Sequence, residues 1–156
     1  MWLRLAVAAV FVVFLWQLFR FAVGLRWSKV SREAARRQAE SGGGRVVAEI
    51  PVRDGVQFFV DEPALLRWGD TAVAKADLQG ARLLLNGAVV GAVARDGVSL
   101  PPAPAIEDHE VRERWDVVLY LSGGGRSIPC GTLREGVSRE IAAQVFEAVR
   151  RALLRP

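Results

Sequence analysis

Three scattered carboxylates, Asp61, Glu62 and Asp70, lie near Trp68 in this chain, and they are the side chains an acid–base reading would use. Two carboxyls divide that work when their surroundings push their pKa values apart. Nothing in their spacing forces convergence: two are adjacent at what reads as a strand end, and the third follows Gly69 in a turn. His109, the single histidine, stands among Glu107, Asp108 and Glu110. Neighbours in sequence do not share a face, and no second histidine completes a metal site, so this stretch reads as solvated mixed charge. Cys130 is the sole cysteine, which excludes an internal disulfide and a cysteine-cluster metal site. With no His or Asp in local support it reads as a small apolar residue. Gly123-Gly124-Gly125 has the composition of a phosphate cradle, but it lies between two strands and reads as a hairpin tip. Neither G-x-x-x-x-G-K-[ST] nor a G-x-G-x-x-G opening a helix occurs. The expectation is a protein that is not an enzyme, with no catalytic residue, cofactor, metal or small-molecule substrate.

The elements that would position any site begin with the stretch Leu5 to Leu25, which holds one polar residue, Gln17, and one charge, Arg20. A helix needs ~20 mostly apolar residues to cross a bilayer core of roughly 30 Å, and residues 1–27 are read as a transmembrane helix. Arg20 lies in the last third of the run, where its side chain snorkels to the headgroups. Trp2 and Trp27 suit the interfacial zone. A cleaved signal peptide fits less well, because the run is long, ends in bulky residues with Arg, and lacks an A-x-A-like site. Arg26, Lys29, Arg32, Arg36 and Arg37 follow the span, against Arg4 alone before it. The positive-inside bias therefore puts the amino terminus outside and the body in the cytoplasm, anchored in the inner, or cytoplasmic, membrane.

Residues 28–45 read as a basic juxtamembrane helix ended by the Gly42-Gly43-Gly44 hinge, and residues 46–156 as a cytoplasmic β-rich domain with a carboxy-terminal helix. Residues 1–45 carry eight Lys/Arg against two Glu, whereas residues 46–156 carry thirteen against fifteen Asp/Glu. The basic balance belongs to the anchor, and nucleic acid, which needs a basic footprint on the folded domain, is not an expected partner. From Arg45 the apolar period is two. Asp54-Gly55, Asn86-Gly87 and Asp96-Gly97 mark hairpin turns, and Pro51 puts the first strand at an edge or a bulge. Pro101-Pro102-Ala103-Pro104 marks a loop. WDVVLYL (residues 115–121) is the cleanest strand, with Val117, Leu119 and Leu121 on one face. Ser138 reads as an N-cap for an amphipathic helix of about 16 residues. Its stripe (Ile141, Val145, Phe146, Val149) is buried on its own sheet by default, and is otherwise a candidate partner-contact face.

The resulting fold class is α+β: one transmembrane helix, then a small antiparallel β meander or bent barrel capped by an amphipathic helix. The hairpin VQFFVDEPALLRWG, the strand-like AKADLQGARLLL and the block from WDVVLYL through SREIAAQVFEAVRRAL carry the likeness. Over residues 46–154 this arrangement resembles bacterial membrane-anchored pleckstrin-homology-like domains. The resemblance implies a helix plugging one end of a bent sheet and a scaffold that holds proteins together at a membrane. Phosphoinositide binding is not carried over, because the early hairpin tip Arg53-Asp54-Gly55 pairs one base with one acid.

The functional expectation is a noncatalytic single-span membrane protein whose cytoplasmic domain contacts other membrane-protein subunits, as an accessory or assembly subunit. A peripheral anionic-lipid-sensing module is one alternative, using Trp2, Arg20, Arg26, Trp27, Lys29, Arg32, Arg36 and Arg37 against membrane lipids. A secreted or filament-type protein with an extracytoplasmic head is another. It lacks the expected basic leader and runs against the charge bias.

Overall fold

The computed structural model describes residues 14, 16, 17, 32–53, 55–103, 113–131 and 137–154. The chain divides into two compact units, Met1–Gln38 and Ala39–Pro156. Within the first unit, Phe14, Trp16 and Gln17 are helical and residues 32–38 belong to a helix (α1) that runs to residue 40. Arg32, Arg36 and Arg37 are exposed on it. Trp2, Arg20, Arg26, Trp27 and Lys29 lie outside the described residues, as does nearly all of the expected span. Among the described residues no helix is long and apolar enough to cross a membrane.

The second unit holds two four-stranded antiparallel sheets and a carboxy-terminal helix. Sheet A is a plain meander of β1 (Arg45–Val52), β2 (Gly55–Asp61), β3 (Leu65–Trp68) and β4 (Thr71–Ala74). Alternation fixes its register, since a slip of one residue would turn every apolar side chain outward. Val46, Ala48 and Ile50 of β1 point inward, and Phe59 of β2 stands opposite Trp68 of β3 with ring centroids 6.0 Å apart. Pro51 is tolerated because β1 is an edge strand, and the bulge falls earlier, between Val46 and Ala48.

The glycine run before β1 is where α1 ends. Gly43 has φ 79° and donates its N–H to the Glu40 carbonyl at 3.1 Å, closing the helix end with a left-handed residue. A Cβ at Gly44 would sit 2.6 Å from both Val60 Cγ1 and Glu62 Cγ, so its lack of a side chain lets the backbone approach β2. Arg67 Nη2 also donates to the Ala39 carbonyl at 3.0 Å. These residues belong to the β-rich unit.

A short 3-10 turn (Lys75–Asp77) leads into sheet B: β5 (Leu78–Leu85), β6 (Ala88–Ala94), β7 (Trp115–Leu121) and β8 (Gly124–Gly131). Asn86 (φ 48°) and Gly87 (φ 80°) make the β5–β6 turn, the two positive φ values that Asn-Gly is suited to supply. The strand order is β6-β5-β7-β8, so sheet B departs from the expected meander. After β6 the chain crosses to the far side of β5, and Asp96-Gly97 turns that crossing instead of joining two strands. The physical reason lies in β7, whose residues Trp115 to Tyr120 are buried on both faces. A strand apolar on both sides takes an inner place between two neighbours, which leaves β6 at the edge.

The inner face of sheet B contributes Leu78, Ala81, Trp115, Val117, Leu119, Ile128 and Cys130 to one core shared with sheet A. The carboxy-terminal helix α2 (Val137–Leu154) closes it with Ile141, Ala142, Val145, Ala148, Val149 and Leu153. Ser138, the second residue of α2, is buried in its first turn. A second, smaller core forms on the outer face from Leu84, Val118 and Tyr120, covered by Leu100 and Ala103 of the crossing segment. Arg82 ties that cover down. It stacks over the Tyr120 ring at 5.4 Å and donates to the carbonyls of Pro101 and Leu100 and to the Tyr120 hydroxyl. A Cβ on Gly80 would lie 2.6 Å from Leu100 Cδ2, so glycine makes room for the cover there.

Candidate functional site

The three carboxylates singled out for acid–base work are not brought together. Asp61 pairs with Lys75 Nζ at 2.5 Å, and Glu62 pairs with Arg67 Nε at 2.9 Å. Asp70 lies exposed in the turn between β3 and β4. His109 and its acidic neighbours lie outside the described residues. Among the described residues no three His, Cys, Asp or Glu side chains gather at metal-binding distance. Gly124 (φ 120°) begins β8, so the glycine run is the β7–β8 turn and the strand after it.

Cys130 is fully buried, and its Sγ contacts the Ile128 carbonyl at 3.5 Å. Burial, seconded by the charge of Asp116, pushes its thiol up from 9.0 to about 12, against a smaller lowering from a backbone hydrogen bond at Val117. A thiol so placed stays protonated and unreactive at neutral pH. Asp116 itself is fully buried on the outer face of β7, and Arg114 supplies its counter-charge with Nε 2.9 Å from Oδ2. No sequence signal separated this aspartate from surface acids. Only its place inside WDVVLYL hinted at burial.

Two surface features bear on function among the described residues. The first is a cleft of about 450 Å³ lined by Asp61, Pro63, Lys75, Arg95 and Arg151 among others. Arg95 is held by a hydrogen bond from Nη2 to the Lys75 carbonyl (2.8 Å), and Arg151 by one from Nε to the Glu147 carbonyl (3.4 Å). Three cations against one carboxylate give the cleft a positive balance. These residues are far apart in sequence, and only the fold assembles them.

The second is the edge of sheet B. Among the described residues, strand β6, AVVGAVA, pairs only with β5. Val89 is 50% and Val90 55% exposed, and Ala88 and Ala92 are exposed as well. Phe146 of α2 sits over Gly91, where a Cβ would be 3.6 Å from ring atoms Cε1 and Cζ. The apolar helix stripe offered as a partner-contact face is otherwise spent inside the domain: Ile141, Val145 and Val149 are buried in its own core, and Phe146 is half-buried. Of the candidate stripe only Phe146 therefore keeps partial exposure, beside the exposed strand β6. The signal that could have found β6 is its composition, seven small or aliphatic residues with no polar alternation.

Comparison with known proteins finds no family model, no curated protein and no solved structure that matches the chain.

Proposed function

We propose that this chain is a noncatalytic membrane-anchored adaptor, its β-rich domain of pleckstrin-homology-like architecture held at the cytoplasmic face and contacting membrane-protein subunits along β6. The anchor reading rests on the apolar run from Leu5 to Leu25 and the basic residues that follow it. The observation that carries the interaction reading is the exposed, uncharged edge of β6. An edge strand presents unpaired backbone donors and acceptors, and strand addition uses them for affinity while side chains set specificity.

The test has two arms. Protease added to intact cells should leave the domain uncut, while protease added to opened cells should cut it; cleavage from outside overturns the anchor orientation. Val90→Lys in the full chain should abolish recovery of its partner subunit from mild detergent, and unchanged recovery overturns the assignment to β6.

The basic cleft favours a second reading, in which Lys75, Arg95 and Arg151 hold an anionic lipid headgroup near the membrane. Each basic residue close to an anionic surface contributes ~1 kcal/mol. Anionic lipid enriched around the full chain in native nanodiscs should fall in an Arg95→Gln/Arg151→Gln variant; unchanged enrichment removes this reading.

A further inference from the structure

We propose that the partner seated on β6 is a second copy of this chain, the two β6 strands adding antiparallel across a twofold axis at Gly91. This rests on the reading of β6 as the interaction edge and names its occupant. The first support is a contrast among edges. Natural sheets blunt exposed edges with charge, proline, bulges or short length. Here β1 carries Arg45, Glu49 and Pro51; β8 carries Arg126 and Pro129; and β4 has only four residues, flanked by Asp70 and Lys75. Against these, β6 has no charge and no proline over seven residues. Its only irregularity is the bulge opposite Leu83 and Leu84, which leaves Val90 out of the β5 ladder and 55% exposed. A bulge is common to β1, β6 and β8, but β6 alone of the four edges lacks all three of charge, proline and short length, and that contrast marks it as the contact surface.

The second support is self-complementarity. Reversed about Gly91, the strand places Ala88 opposite Ala94, Val89 opposite Val93, and Val90 opposite Ala92. Every opposed pair is apolar, and no like charges meet, which would be destabilising in directly opposite positions. A twofold interface is isologous and needs this property of its own surface. The small residues at the axis also let two backbones approach closely, with Phe146 of each copy beside its own Gly91. Pairing would continue β6-β5-β7-β8 into its mate as one eight-stranded sheet.

The experiment uses the full chain in the membranes of the cells that express it. Ala92→Cys places a thiol on exposed β6, and the native Cys130 is buried and serves as the silent background. A short bis-maleimide should link Ala92→Cys chains into a homodimer, whereas the unsubstituted chain should stay monomeric. Adding Val90→Lys should cut the dimer at least tenfold, with Cys130 still protected from maleimide as proof that the domain is folded. A homodimer insensitive to Val90→Lys, or monomer alone, overturns the proposal. If Ala92→Cys instead links to a different polypeptide in a Val90→Lys-sensitive manner, the second copy is excluded while the interaction edge stands. If it links to nothing, both readings fail.

Discussion

Replacing Arg114 by methionine tests how the interior of sheet B tolerates its one buried carboxylate. Asp116 is fully buried, and both guanidinium contacts to it, 2.9 Å from Nε and 3.4 Å from Nη2, come from Arg114. Removing one partner of a buried ion pair leaves an uncompensated charge, which costs about 3–5 kcal/mol. That is a large share of the roughly 5–15 kcal/mol that holds a domain folded, and it corresponds to a fall in Tm on the order of 10–20 °C. The backbone of residue 114, which exchanges hydrogen bonds with Asn86, stays in place, so the turn is not the cause. Asp116→Asn should cost only about 1–2 kcal/mol, because the arginine it abandons is partly exposed and reaches water. The double variant Arg114→Met/Asp116→Leu should return to within about 1 kcal/mol of the original chain or exceed it. Denaturant melts of the full chain in detergent, followed by tryptophan fluorescence, give the four corners of the cycle. If Arg114→Met alone lies within about 0.5 kcal/mol of the original, or if the double variant loses the sum of the singles, the charge-pair reasoning is refuted.

Three further outcomes follow from the packing. Phe59→Ala empties a fully buried site and breaks the ring stack on Trp68, and should cost about 3–5 kcal/mol in the same melts. The Cys130 thiol, raised from 9.0 to about 12 by burial first and the Asp116 charge second, favours the native state while protonated. That contribution is fully present below pH 9.0 and is lost as pH rises towards about 12. It amounts to roughly 4 kcal/mol, so a Cys130→Ala chain should show a shallower alkaline decline than the original. Gly80→Ala drives a Cβ to 2.6 Å from Leu100 and 2.7 Å from the Val93 carbonyl. It should destabilise by about 1–3 kcal/mol and expose residues 96–103 to limited proteolysis.

Much of the β-rich unit can be read from residues alone. The two-residue period finds β1, β2 and β7, Asn86-Gly87 marks its turn, and the four-residue recurrence of Ile141, Val145, Val149 and Leu153 finds α2 with its buried stripe. Hairpin signals are local, and they carry information only about neighbours in sequence. The order β6-β5-β7-β8 is set by a non-local fact, that β7 has covers for both faces, and part of that cover is a proline-bearing segment read only as a loop. The candidate sites divide the same way. Asp61, Glu62 and Asp70 lie scattered near Trp68 in the sequence, and lysine and arginine partners contributed by other elements take the first two. The exposure of β6 is likewise invisible until its neighbours are known.

The proposed pairing at β6 and the proposed membrane anchor would depend on one another energetically. Seven residues rising ~3.3 Å each make a contact far smaller than the roughly 1,200–2,000 Å² of a stable interface between freely diffusing proteins. Strand addition at β6 alone therefore leaves little surplus after the entropy of association. Tethering both chains in one bilayer, as proposed, would change that balance, because confinement raises the effective concentration of one edge before another without any new contact. On that proposal a weak, uncharged, self-complementary strand would be an advantage: it would pair where the chains are concentrated and stay open where they are dilute. The charge, proline or short length of β1, β4 and β8 would then keep the proposed association to a single closed twofold contact, because a second open edge would allow sheets to add without limit.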